Sequence, residues 1–159
     1  MIAHIREYLP TDFEFIRRLF VEYLDSERER IPGLTISPAF PDQYLPRLVQ
    51  QAIDLQGTIF VAEIAGVPSG FIAALPKAKP DPWDESRTKA VLIMELHIDI
   101  GHRRQGIGRA LLRAVEDRFR AKGFDWISLG VFSANAHARS MYSAEGFRDI
   151  YSFMGKQLS

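Results

Sequence analysis

A strand-like run from Ala90 to Ile100 passes through Gly101-His102-Arg103-Arg104-Gln105-Gly106-Ile107-Gly108 directly into an amphipathic stretch. No other part of the chain constrains the fold as much. Ile107, Ala110, Leu111, Ala114, Val115 and Phe119 recur at helical spacing, and Gly123 stands where a helix C′ residue is expected. A second strand-like run, Phe124 to Phe132, follows. Strand, glycine turn, helix and strand make a β-α-β crossover, so part of the sheet must be parallel. The turn also lies at a helix N-terminus, where free N–H groups and the positive end of the helix dipole form a seat for an anion.

The remaining segments fit around this unit. Ile2 to Tyr8 reads as a strand, and Thr11-Asp12-Phe13-Glu14 fits a capping box. Phe15, Ile16, Leu19, Phe20, Tyr23 and Leu24 carry a helix to about Ser26. A second helix follows Ser37-Pro38, its start blurred by Pro41 and Pro46. Thr58 to Ala65 and Val67 to Leu75 form a hairpin across Gly66. Lys77 to Lys89 is a loop, Asn135 to Glu145 a short helix closed by Gly146, and Phe147 to Leu158 a last strand or hairpin. The expected fold is α/β. Its central sheet is mixed and mostly antiparallel, with about six to seven strands and about four flanking helices.

Composition narrows the function classes. The 159 residues suit a single domain, 1–159, and the formal net charge of zero gives no global field for nucleic acid or an anionic membrane. Cysteine is absent, which excludes disulfides, thiolate metal ligands and a cysteine nucleophile. The four histidines lack metal-ligand spacing, so no metal is expected. The N-terminal residues do not read as a signal peptide, and no stretch approaches the roughly 20 apolar residues of a membrane span. A cytoplasmic protein, monomer or homodimer, is the expectation.

Three phosphate-binding patterns compete for the turn. A Walker-type loop needs a lysine after its last glycine, but Ile107 follows Gly106. A dinucleotide fingerprint needs a third small residue where Leu111 stands. The spacing Arg103-x-x-Gly106-x-Gly108 instead resembles the pyrophosphate loop of the GCN5-related N-acetyltransferase (GNAT) family. Downstream, Asn135-x-x-Ala138-x-x-x-Tyr142-x-x-x-Gly146-Phe147 resembles that family's second motif, so the likeness covers roughly Val91 to Lys156.

The resemblance implies an acyl-CoA N-acyltransferase fold with two splayed parallel strands, and acetyl-CoA as acyl-donor cosubstrate. Backbone groups of Leu96 and Ile98 would pair with pantetheine, and the Ile98 N–H would polarise the thioester carbonyl. Arg103, Arg104, Gln105, Gly106, Ile107, Gly108 and Arg109 would surround the pyrophosphate. For Arg104 and Arg109 a solvated helix end is an equal alternative. Asn135 would cap the last helix and contact the coenzyme. Tyr142 matches the family's general acid.

A base is less marked. Alternation puts Glu95, His97 and Asp99 on one strand face, with Glu95 the first candidate, acting through a water, and His97 the second. A purely structural polar face is the alternative. The implied acceptor is a primary amine of a small molecule, or a peptide N-terminus or lysine. Acidic residues at 25, 27, 29, 81, 84 and 85, beside Phe40, Tyr44 and Trp83, would suit a cationic amine. An acyl-CoA sensor without turnover is the alternative function.

Overall fold

The computed structural model describes residues 3–79, 84, 86–156 and 158. The chain starts in β1 (His4–Glu7) and enters two successive helices, α1 (Phe13–Arg30) and α2 (Phe40–Asp54). A hairpin of β2 (Thr58–Ile64) and β3 (Val67–Pro76) follows, then β4 (Ala90–Ile98), α3 (Ile107–Ala121), β5 (Trp126–Leu129) and α4 (Ala136–Ala144). The five strands lie in sequence order. Neighbours from β1 to β4 are antiparallel, and β4 pairs β5 in parallel across the α3 crossover.

Helices cover both faces. Ile16, Leu19 and Phe20 of α1 and Leu45 and Leu48 of α2 pack with Val61, Phe71 and Ala73 on one face of the sheet. Ile107, Leu111, Leu112, Val115 and Phe119 of α3 pack with Ala62, Ile72, Val91 and Ile93 on the other. Burial on both faces explains the near-continuous apolar character of β2 and β3. Their hairpin turns through Ala65 and Gly66, both at positive φ (51° and 78°), as a tight two-residue turn requires.

Three expectations are corrected. The Thr11/Glu14 capping box does not form. A short 3-10 turn, Pro10–Asp12, occupies its place, and Asp12 accepts from Leu9 N–H at 2.7 Å while the Arg6 guanidinium grips it at 2.7 and 2.8 Å. Ion pairing thus outcompetes a hydroxyl cap. Helix α1 also runs beyond Ser26 to Arg30, its last turn held by the pairing of Arg30 with buried Glu27.

The third correction concerns the C-terminal segment. Residues 147–156 form no strand, so the sheet has five strands among the described residues, not six or seven. Phe147 packs against Tyr142, but Ile150, Phe153 and Met154 beyond it are exposed, and no burial repays the entropy of ordering them. Strand β5 is likewise shorter than the apolar run from Phe124 to Phe132.

Candidate active site

Strand β4 carries the feature that shapes the site. Ala73 faces Glu95 while Ala74 faces Ile93, so Met94 is an extra residue, a β-bulge. The bulge reverses the alternation. Before it, Val91 and Ile93 join the α3-side core; after it, Leu96 and Ile98 do. Glu95 and His97 therefore turn toward α1 and α2, where His97 meets the rings of Tyr23 and Phe71. Without the bulge Glu95 would point into the apolar contact with α3.

The parallel pairing of β4 with β5 spans only Ala90–Ile93 against Trp126–Leu129. Beyond it the strands part, and a cleft of about 540 Å³ opens, walled by α1, β4, the glycine turn, α3, residues 129–132 and α4. Asp99 N–H donates to Ser69 O of β3 at 2.9 Å, so strand alternation directs the N–H of Ile98 to the opposite, splayed edge. The Ile98 carbonyl on that edge accepts from Arg103 Nε at 3.0 Å.

The turn has a specific local geometry. Arg104 (φ 61°) and Gly106 (φ 81°) are left-handed, a conformation that glycine adopts freely and arginine does not. Gly106 is the N-cap of α3 and no side chain caps the helix. The ladder begins with Ala110 N–H on Gly106 O at 3.0 Å, so Ile107, Gly108 and Arg109 keep N–H groups with no acceptor within the helix. Gly108 serves packing. A Cβ there would lie 3.0 Å from Met141 Sδ of α4.

The structure gathers the sequence candidates closely. Glu95, Leu96, Ile98, Arg103, Arg104, Gly106, Ile107, Gly108, Arg109, Asn135 and Tyr142 all line the one cleft. Gln105 does not; its amide donates to Gly101 O at 3.4 Å, bracing the turn from outside. Arg109 is paired with Glu145 at 2.9 Å, and this ties α3 to the end of α4. Asn135 accepts from Ala138 N–H at 3.2 Å, as an N-cap should.

The chemistry concentrates around Glu95. Its carboxylate is hydrogen-bonded to His97 Nε2 at 2.5 Å, and its charge acts on the Tyr44 phenol. Burial, then the charge of Glu95, pushes the Tyr142 phenol up to about 12. Burial followed by the charges of Glu27 and Glu95 raises Tyr23, and burial with Glu95 raises Tyr44. Tyr23 of α1, Tyr44 of α2 and Tyr142 of α4 thus share the electrostatic field of the Glu95 carboxylate.

Sequence reasoning missed several of these residues. Tyr23, Ser26 and Arg30 put a polar stripe of α1 on the cleft, and their i, i+3, i+7 spacing was the available signal. Glu27, expected among loop acids, is instead fully buried. It is bound to Arg30, and its second oxygen lacks a hydrogen-bond partner among the described residues. Asp84 is engaged with Ser86 and Arg87. Asp81, Trp83 and Glu85 lie outside the described residues. Among the described residues no cluster of metal-ligating side chains occurs, and no helix is long and apolar enough to cross a membrane.

Known proteins resemble this chain in sequence or in fold. Rat N-acetyltransferase family 8 member 2 (Rattus norvegicus) is 31% identical over 104 residues, 65% of this chain and 44% of that protein. The chain therefore matches less than half the length of that curated relative. A mutant of the BH1408 protein from Bacillus halodurans superimposes with a TM-score of 0.81 at 26% identity, covering 100% of both chains. A predicted acetyltransferase from Clostridium acetobutylicum, crystallised with acetyl-CoA, shares the fold with a TM-score of 0.76 at 13% identity, covering 98% of this chain and 96% of that one. The acetyltransferase (GNAT) family model matches residues 14–147, so the chain belongs to the GNAT family and has its acyl-CoA N-acyltransferase fold.

Proposed function

We propose that the chain is an acetyl-CoA-dependent N-acetyltransferase acting on a primary amine of a small molecule or peptide. One observation carries the reading. A single cleft joins an uncapped helix N-terminus, a splayed strand edge, and a carboxylate and a phenol that share one electrostatic field.

The uncapped N–H groups of α3, with Arg103 and Arg104 beside them, receive the coenzyme pyrophosphate. The pantetheine lies along the open edge of β4 and pairs with backbone groups of Leu96 and Ile98. There the Ile98 N–H donates to the thioester carbonyl and stabilises the oxyanion that forms on attack. Glu95 takes the proton that the acceptor ammonium must lose, directly or through a water. The neutral amine attacks the carbonyl carbon, and the tetrahedral intermediate releases its remaining extra nitrogen proton to solvent as it collapses to the amide with cleavage of the C–S bond.

Tyr142 stands by the departing sulfur. A phenol near 12 is a weaker acid than a thiol, whose reference value is about 8.5, so full transfer in the ground state is uphill. Its role is to donate a hydrogen bond to the thiolate as charge develops. The thiolate is then protonated from solvent or from the proton held at Glu95.

A panel of amines with free coenzyme thiol as readout, and mass spectrometry to locate the acyl group, tests the reading. Thiol release matched by a mass increase of one acetyl group on the amine is expected. Binding of acetyl-CoA with no thiol release for any amine would favour a sensor without turnover.

A further inference from the structure

Glu95 is not free on its strand. His97 Nε2 and Glu95 Oε2 are 2.5 Å apart, and the two side chains are only 10% and 11% exposed. The imidazole is itself fixed by three rings. Its centroid lies 4.5 Å from Tyr23 and 5.9 Å from Phe20, both on α1, and 5.3 Å from Phe71 on β3. The rings hold the imidazole, and the imidazole holds one oxygen of the carboxylate. Tyr44 of α2 faces the carboxylate closely enough to feel its charge. A base fixed in this way needs no reorientation at the moment of attack, whereas an unrestrained glutamate must give up side-chain freedom.

We propose that His97 is a positioning residue for Glu95 and also gates its charge. When neutral, it donates its Nε2–H to Oε2 and keeps the carboxylate aimed at the acceptor. When protonated, it offsets the negative charge that draws the acceptor's proton. The inference rests on the reading of Glu95 as the base.

The other groups that face the pair are tyrosines, paired carboxylates and apolar rings. Tyr23 of α1, Tyr44 of α2 and Tyr142 of α4 are all raised by burial first and then by neighbouring carboxylates, so none ionises where an imidazole does. Beyond Tyr23, Glu27 is bound to Arg30, and on the cleft wall Glu22 is paired with Arg18. Phe71 of β3 carries no charge.

Steady-state kinetics from about pH 5.5 to 9, with acetyl-CoA and the best acceptor from the amine panel, test the proposal. His97→Phe is expected to lower kcat about tenfold while the thermal shift with acetyl-CoA stays unchanged. His97→Gln keeps an N–H that can reach the carboxylate. It should recover most of that kcat and lose the imidazole ionisation from the acid limb. Should His97→Phe fail to fold, the His97→Gln profile carries the test.

Two results overturn the proposal. One is equal loss in both variants with the wild-type pH profile, which marks His97 as structural. The other is full activity in both while Glu95→Gln is impaired. Full turnover by Glu95→Gln removes the base reading and this inference together, but leaves coenzyme binding to be judged by the thermal shift.

Discussion

Tyr142 and the two glycines of the turn separate chemistry from geometry at single positions. Tyr142 is half-buried against Phe147 at 5.7 Å, and loss of its hydroxyl leaves that ring contact in place. Tyr142→Phe should therefore lower kcat roughly tenfold to a hundredfold while stability and the acetyl-CoA thermal shift hold, as steady-state assays and a melting curve would report. Gly106 and Gly108 look alike in the motif but do different work. Gly106 has open space for a Cβ and a φ of 81°, so Gly106→Ala should cost about 1 kcal/mol through backbone strain alone, measurable in a urea titration. Gly108→Val pushes on Met141 of α4 and so disturbs Tyr142 from below; it should weaken turnover as well as coenzyme binding, and unchanged kinetics in both would remove Gly108 from the site. The chemical identity of these residues was legible from motif spacing. Their division of labour was not, because φ and the neighbour across the helix interface are properties of the folded chain.

At the scale of elements, β4 and the start of α1 decide how well the site is held. The bulge at Met94 aims Glu95 and His97, and Gly70 on β3 lets Ile98 lie close above it. A Cβ at Gly70 would come within 2.6 Å of Ile98 Cδ1 and 2.9 Å of His97 O. Gly70→Ala must displace the backbone of β4 beside the splayed edge, so both stability and kcat should fall, a combination that paired melting and kinetic measurements would detect. Asp12 ties β1 to α1. Its hydrogen bonds from Arg6 hold its carboxyl below the usual range; burial opposes them, and Leu9 N–H adds to them. A carboxylate depressed in the folded state contributes stability that is complete above its unfolded value near 3.9 and lost as pH falls through the folded value. Asp12→Ala should cost about 3 kcal/mol at pH 7 and flatten the acid limb of stability against pH, as chemical denaturation across that range would show. The helix there was legible from its apolar spacing. Its cap was not, because the partner that claims Asp12, Arg6, sits on β1.

The whole molecule is a sheet sandwiched between two helical layers, with the cleft where its parallel pair comes apart. A ligand filling that cleft contacts α1, β4, α3 and α4 together, so binding must stabilise the folded state as a unit. Acetyl-CoA at about a hundred times its Kd should add about 2.7 kcal/mol and raise Tm by several degrees, whereas ATP and NAD should leave it unchanged; a thermal-shift series checks this. The order of elements, the β-α-β crossover, the glycine turn and the family followed from sequence, because periodicity and motif spacing are local and survive without tertiary contacts. The sixth strand expected after Phe147 shows the limit of that reasoning, since an apolar run makes a strand only where a partner edge receives it. Where β4 and β5 separate, which face Glu95 takes, and how His97, Tyr23 and Tyr44 come to surround it were decided only by tertiary structure. A bulge and a splayed ladder arise from pairing between distant strands, and no single strand encodes its partner's register.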